Sequence, residues 1–472
     1  MNKEYKHPRS NERLLWLGIS VFLVGVIFAL LLAPTVLAES PSRDRGELLT
    51  SFENVFEYIE RNFVEEVDPQ KLMQGALKGM FDSLDDRYSA YLDAREMESL
   101  GDVTTGSFGG VGMYITRTDD SDEGFVEVSE PIPESPAFEA GLRIGDEIFA
   151  IEGESAQGLS TEEVANRLRG PEGTDVTLTV RRARSQKIEY TLTRAQVEVP
   201  TVRHALMPDS IAYMRVSSFT PFTVQRMEEA IEEFEEDGYN GLVIDLRGNT
   251  GGLLNAAIDS ADLFLDDGVI VGTTSRVRNG GREYTARSRT IVPEDLPVVV
   301  LVDSGSASGA EILAGALQDS GRAVLVGTPT FGKGSVQQVR QAGAIEGGFR
   351  LTLSRYYTPS GTYIDNEGIE PDYESSMPTL SDAEQERYVD LLESMAVEEF
   401  VDEDEDPSDS DVDAFVSRIS DEFELPERSV RRLVREEVSR RRNEAIIYDL
   451  DFDTVLREAV DLIRDGRVAG GS

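Results

Sequence analysis

Between residues 211 and 372, short apolar runs alternate with amphipathic stretches, and this alternation constrains the fold more than any other feature of the chain. Ile211 to Val216, Leu242 to Leu246, Val298 to Val302 and Val324 to Val326 read as strands. Val224 to Phe234 and Glu311 to Leu317 carry their apolar residues at helical spacing. Strands and helices in alternation predict an α/β layer architecture for residues 196–375, with Leu242 to Leu246 as a buried strand.

The flanking segments have a different character. Residues 40–102 read as helices, with Phe52, Val55, Phe56, Ile59 and Phe63 on one stripe. After the Asp68-Pro69 break, Leu72, Met73, Ala76, Leu77 and Met80 form a second stripe. Core packing explains both stripes. Residues 103–195 are punctuated by glycines and hold alternating runs, Phe125 to Val128 and Val176 to Val180, that read as half-buried strands. Between them Thr161 to Leu168 reads as a short helix, with Thr161 as its N-cap. Residues 376–472 read as an acidic helical tail. Its run Asp402 to Asp406 reads as a solvated loop, and Arg431, Arg432 and Arg440 to Arg442 fall on an exposed helix.

The N-terminus places the chain. Leu14 to Ala33 is a stretch of 20 residues without a charge, the length of one helix across a bilayer. Lys3, Lys6, Arg9 and Arg13 outnumber the acids before it and keep residues 1–13 in the cytoplasm. The alternative is a signal peptide cut after Val36-Leu37-Ala38. A signal core runs only about 7–15 residues, which favours the anchor. On either reading the rest of the chain is extracytoplasmic: at the inner (cytoplasmic) membrane, with the catalytic part in the periplasm or its equivalent.

Composition removes whole classes of chemistry. The 472 residues include no Cys and two His, which excludes disulfides, thiolate metal sites and a cysteine nucleophile, and argues against a histidine metal site. The net charge of −43 argues against a nucleic acid partner. Six lysines stand among 46 basic residues. An acidic, arginine-over-lysine composition reads as adaptation to a salt-rich habitat. It predicts a melting temperature that rises with salt between about 0.1 and 3 M.

Two segments could carry chemistry. Gly327 to Lys333 fits the first seven positions of a phosphate-binding loop, but Gly334 replaces the Ser or Thr that would hold Mg²⁺ and no helical stripe follows. Asp303 to Glu311 is a small-residue turn between an apolar strand and an amphipathic helix. Such a turn offers a Ser hydroxyl and backbone N–H groups, the nucleophile and oxyanion hole of acyl transfer; a Ser/Gly-rich helix cap is the alternative. A base is needed. His7 precedes the membrane segment, and His204 has no evident orienting carboxylate, so a Ser-His-Asp triad is poorly supported. Lys333, among close-packed small residues, can serve if desolvation lowers its pKa, whereas an arginine could not.

These residues resemble the carboxyl-terminal processing peptidases, tail-specific serine proteases of peptidase family S41. The resemblance is carried by Ser306-Ala-Ser308-Gly-Ala-Glu311-Ile312, with Lys333 in Phe-Gly-Lys-Gly 25 positions after Ser308. Asp245 to Gly252, Gly368 to Asp372, Phe108 to Gly112 and the Ser135 to Asp146 stretch of a PDZ domain add to it. The resemblance implies an α/β protease core with an inserted, mainly-β PDZ domain over 103–195; the sequence pattern adds N-terminal helices, a single transmembrane helix and a helical C-terminal tail. It implies Ser308 as nucleophile, Lys333 as general base and Gln337 as the residue that orients the lysine. Gly309 and either Gly251 or Gly252 would form the oxyanion hole. Phe108, Gly109, Gly110, Val111 and Gly112 would take up a substrate C-terminus, and Arg169 would link the PDZ domain to the active site. Family members usually carry Ala where this chain has Gly309. No metal or organic cofactor is implied. The partners implied are proteins with free C-termini and the membrane; a homo-oligomer stays open. A non-catalytic tail-binding scaffold is the rival reading, and it predicts binding without hydrolysis.

Overall fold

The computed structural model describes residues 42–117, 124–182, 185–277, 280–287, 290–343, 345–403 and 407–468. The expected membrane segment 14–33 lies outside them. Among the described residues, no helix is long and apolar enough to cross a membrane.

The chain divides into two compact units, one ending at Ser83 and one beginning at Leu84. The first holds α1 (Ser42–Asn62) and α2 (Pro69–Asp82), the latter capped by the Asp68 carboxylate with Pro69 in its first turn. Core packing does not describe their stripes. Phe52, Val55, Phe63 and Met80 stay exposed, and no residue of α2 is buried. Two helices offer each other too little surface to cover both stripes.

The second unit opens with β1 (Ala90–Leu92), α3 (Ala94–Thr105) and β2 (Ser107–Gly110). The helical reading of 40–102 missed β1, which pairs with a strand about 260 residues away and carries no local pattern of its own. The PDZ segment follows: β3 (Met113–Thr116), β4 (Glu127–Pro131), α4 (Pro136–Glu139), β5 (Glu147–Ile151), β6 (Glu154–Ser155), α5 (Thr161–Leu168), β7 (Asp175–Arg182), β8 (Gln186–Thr193) and β9 (Ala195–Glu198). β3, β4, β5, β7 and β8 form one sheet in that order, with β6 on β5; β2 pairs separately with β9. The sheet closes on Val126, Val128, Ile148, Val176, Leu178 and Val180, with Val164 and Leu168 of α5. The cap of α5 is Ser160, not Thr161. Ser160 shares a capping box with Glu163, which sits three residues on as that motif requires.

The core is built from β10 (Val202–Met207), β11 (Ile211–Val216), α6 (Thr223–Asp237), β12 (Gly241–Asp245), α7 (Leu254–Ala261), β13 (Val269–Thr274), β14 (Arg282–Thr285), β15 (Val298–Val302), α8 (Gly309–Asp319), β16 (Val324–Gly327), β17 (Ser335–Gln341), β18 (Gly348–Tyr357) and β19 (Tyr373–Glu374). The sheet order is β10-β11-β12-β15-β16-β19, parallel from β11 onward. A second sheet runs β1-β18-β13-β14, with β17 on β18. β17 occupies the place where a phosphate-binding loop would need a helix.

The tail adds α9 (Asp382–Ser394), α10 (Ala396–Glu403), α11 (Asp409–Phe423), α12 (Glu427–Arg442) and α13 (Thr454–Arg464). The first four pack on each other around Leu391, Phe415, Val416, Ile419, Val430 and Val434. The acidic run is not simply a solvated loop. Asp402 lies in the last turn of α10 and pairs with Arg441, and residues 404–406 lie outside the described residues. The last helix has a larger part. Met214, Ile244, Val298 and Val300 face α6, α7 and α8. The intervening Tyr213, Val243, Val299 and Leu301 face Val455, Leu456, Ala459, Val460 and Ile463 of α13. The tail thus covers the second face of the core sheet, as strands apolar on both sides require.

Candidate active site

The turn between β15 and α8 carries Ser308 at φ 55° and ψ −111°. For a residue with a Cβ this conformation costs about 1–3 kcal/mol and persists only where the surroundings fix it. They do. The Ser308 N–H donates to Glu311 Oε2 at 2.8 Å, and the Ala307 N–H donates to the Asn249 carbonyl at 2.8 Å. Tyr356 is buried beside this turn, and burial pushes its phenol up to about 12, opposed by the Ser308 hydroxyl.

Ser306, the other hydroxyl of the motif, is committed elsewhere. It is wholly buried, donates to the Leu246 carbonyl at 2.8 Å and accepts from the Asp303 N–H at 3.0 Å. A nucleophile so engaged would have to break structure in order to react.

Lys333 lies on the loop from β16 to β17, and the same buried carboxylate reaches it. Glu311 Oε2 accepts from the Lys333 N–H at 2.9 Å, while Oε1 accepts from the Gly332 N–H at 2.7 Å and the Thr330 hydroxyl at 2.6 Å. One oxygen therefore takes the amides of Ser308 and Lys333 together, so the two nitrogens lie no farther apart than those two bonds laid end to end. Burial pushes the Glu311 carboxyl above its usual range, opposed by these donors. The Lys333 ammonium stands 5.2 Å from the centre of the Tyr88 ring, with the Arg87 guanidinium 4.7 Å from the same centre. Among the described residues no carboxylate lies within ion-pair distance of Lys333. Burial pulls its amine below the ordinary value, Arg350 adds to that, Glu311 opposes it and Arg87 adds again.

The loop 246–252 faces this turn. A Cβ on Gly251 would stand 2.7 Å from Ser308 Cβ and 2.9 Å from the Gly309 nitrogen. One on Gly252 would stand 2.2 Å from the Phe219 carbonyl oxygen. Positive φ angles of 103° and 145° suit only glycine at both. The two differ in one respect. The Gly251 N–H donates to Asn249 Oδ1 at 2.8 Å, whereas the N–H groups of Gly252 and Gly309 donate to no described residue. Gly309 itself fits its place, because a Cβ there would come within 2.9 Å of the Phe219 ring.

Gln337, expected to orient the lysine, and His204, the rejected base, are joined to neither Ser308 nor Lys333 by a hydrogen bond among the described residues. Gln337 Nε2 donates to Ser335 Oγ at 2.8 Å and to Thr352 Oγ1 at 3.4 Å; no hydrogen bond among the described residues joins it to Lys333. His204 does have a carboxylate, Glu233 at 2.8 Å, but no contact among the described residues ties that pair to Ser308. Glu311 and Tyr356 were not expected. Glu311 could have been found, since Ser308-Gly-Ala-Glu311 has the spacing of a capping box. Tyr356 has no such signal, because β18 reaches the site only by tertiary pairing.

The PDZ segment borders a cavity of about 400 Å³ lined by Phe108, Gly110, Val111, Gly112, β3, Leu168 and Arg169. Gly109 is in β2 and receives the Gly170 N–H on its carbonyl at 3.1 Å. The N–H groups of Val111 and Gly112 donate to no described residue. β3 is the end strand of its sheet and leaves an edge toward α5. The Arg169 guanidinium lies 5.6 Å from the centre of the Phe108 ring. The far wall is Ser217, Ser218 and Thr220, which flank the Phe219 that bonds the Gly251 carbonyl at 3.0 Å.

Comparison with known proteins decides the family. The model of peptidase family S41 matches residues 210–375, a PDZ domain model matches 127–182, and one for the N-terminal domain of the activating protease CtpB matches 35–96. A carboxy-terminal-processing protease of Bartonella bacilliformis is 37% identical over 366 residues, 76% of this chain and 82% of that one. This chain belongs to peptidase family S41. It is a serine peptidase of the carboxy-terminal processing kind and carries a PDZ domain. Other relatives are the carboxy-terminal processing protease CtpA of Bacillus subtilis, 33% identical over 73% of this chain and 72% of that one, and the carboxyl-terminal-processing protease of Synechocystis, 39% identical over 66% and 72%.

Proposed function

We propose that the chain is an extracytoplasmic endopeptidase that selects substrates by their free C-termini and cleaves them with Ser308 and Lys333. One observation carries the reading: a single buried carboxylate, Glu311, holds the Ser308 and Lys333 backbones together. Neutral Lys333 takes the proton as Ser308 Oγ bonds to the scissile carbonyl carbon. The oxyanion that forms is received by the N–H groups of Gly309 and Gly252. The ammonium then gives its proton to the leaving amine as the C–N bond breaks. Water, deprotonated by Lys333, releases the acyl group and restores Ser308. A lowered lysine pKa favours each of these transfers near neutral pH.

The PDZ cavity suits the other half of the task. The Val111 and Gly112 amides can take a terminal carboxylate, and an extended tail can add to the edge of β3. Arg169 lines this cavity together with Ser217, Ser218 and Thr220, the place for a residue linking occupancy to the catalytic loop. Gln337 supports the β17–β18 pairing beneath the lysine loop. Anchoring in the inner membrane rests on Leu14 to Ala33 alone.

The test is one unfolded protein, its C-terminus free or amidated, incubated with wild type and with Lys333→Ala. Wild type should cut the free form faster and Lys333→Ala should cut neither. Cleavage by both variants would refute the mechanism.

A further inference from the structure

The acidic tail offered no chemistry in sequence, and it lies wholly beyond the residues matched to the peptidase model. Its last helix nonetheless touches the catalytic loop. Asp453 caps α13, with Oδ1 accepting the Leu456 N–H at 2.9 Å. The same carboxylate grips Arg247 at both ends, taking Nη1 at 3.0 Å and Nη2 at 2.6 Å. On its other side Arg247 gives Nε at 2.9 Å and Nη2 at 2.7 Å to Asp245, which is wholly buried and also receives the Tyr213 hydroxyl at 2.7 Å. Two carboxylates thus hold one guanidinium by paired, charge-assisted bonds, the arrangement that fixes a planar fork most tightly.

Arg247 begins the loop that shapes the catalytic centre. Two residues on, the Asn249 carbonyl accepts from Ala307, next to Ser308, and the Asn249 Oδ1 accepts from Gly251. The adjacent Gly248 N–H donates to Asp303 Oδ1 at 2.9 Å. A shift of Arg247 would move the nucleophile turn and the Gly252 amide together.

We propose that Asp453, on the C-terminal helix, is a positioning residue of the active site, fixing Arg247 and through it the loop that presents Gly252. The proposal rests on the reading of Ser308 and Gly252 given above. Asp453 touches no substrate. Its removal should leave binding unchanged and slow the acyl transfer, because an oxyanion donor displaced by a fraction of an ångström loses most of its effect.

Asp453→Asn separates the roles, since Asn still caps a helix but carries no charge. With a peptide substrate, kcat should fall about tenfold at unchanged KM and with little loss of melting temperature. Val460→Ala is the control: it loosens the same helix without touching Arg247, and should lower the melting temperature at unchanged kcat. A folded Asp453→Asn enzyme with wild-type kcat overturns the proposal. So does an equal loss of kcat in Val460→Ala, which would make helix docking the cause. Should Asp453→Asn not fold, Asp453→Glu is read in its place: a lower kcat at unchanged melting temperature supports the proposal, and full kcat overturns it. Ser308→Ala run alongside separates the two failures. Activity surviving in it refutes the underlying reading, whereas an inactive Ser308→Ala beside a full-rate Asp453→Asn refutes this inference alone.

Discussion

On the proposed function, the PDZ cavity and the catalytic centre handle the same polypeptide by opposite means. The cavity is lined mainly by apolar side chains, with Ser217, Ser218 and Thr220 on its far wall, and offers two backbone amides, Val111 and Gly112, to a tail. Neither amide titrates, so tail binding should vary little with pH and little with tail sequence. The catalytic centre is enclosed and polar. It depends on a strained serine, a buried glutamate and an amine held below its ordinary pKa. It should be intolerant of substitution and strongly pH-dependent. On that proposal the enzyme recognises many substrates loosely and confines its stringency to the chemical step.

That contrast can be broken at several points, and the largest effect belongs to the nucleophile. Ser308→Ala should reduce kcat by about 10⁴-fold or more, as loss of a nucleophile does elsewhere, while tail-peptide binding is retained. Ser306→Ala should still cleave. Its loss leaves the Asp303 N–H without a partner, while the Leu246 carbonyl keeps the Asn249 N–H; this lowers stability by about 1–3 kcal/mol, readable by thermal melting. Gly252→Ala comes next, because its Cβ would collide with the Phe219 carbonyl. It should lower kcat by about 10²–10³-fold at nearly constant KM. Amidating a substrate C-terminus should do the reverse, raising KM about tenfold, a loss of roughly 1.4 kcal/mol, and sparing kcat.

The smallest effect is one of pH. In the proposed mechanism Lys333 acts only as the neutral amine, so log(kcat/KM) should rise with pH to a plateau reached below the ordinary lysine range. Arg350 helps to hold the amine down. Replacing it with Gln removes that charge, raises the lysine pKa and moves the acid limb to higher pH. Arg350→Lys keeps the charge and should leave the limb in place. An unmoved limb in Arg350→Gln would separate Lys333 from the rate-limiting proton transfer.

Legibility in the sequence followed the range of the interactions. Val298 to Val302 was readable to the residue, because five apolar residues in a row already describe a strand buried on both faces. What covers the second face was not readable, although that run requires a cover. α13 carries an apolar stripe, as α1 and α2 do, yet only that of α13 is buried. Periodicity marks a helix without naming its partner. The site divides in the same way. Ser308 and Lys333 stood out by motif and by the scarcity of lysine. The commitment of Ser306 to Leu246, the engagement of Gly251 with Asn249 and the reach of Asp453 to Arg247 depend on contacts distant in the chain. A single sequence carries no local sign of them.

The central claim is that Ser308 becomes acylated during turnover. Acid-quenching the enzyme with a C-terminally free peptide during the first turnover, then mapping the trapped acyl group by mass spectrometry, tests it directly. The account predicts the acyl group on Ser308, its amount falling in Lys333→Ala. An acyl group on Ser306, or full turnover with no acyl-enzyme and an active Ser308→Ala, would contradict it.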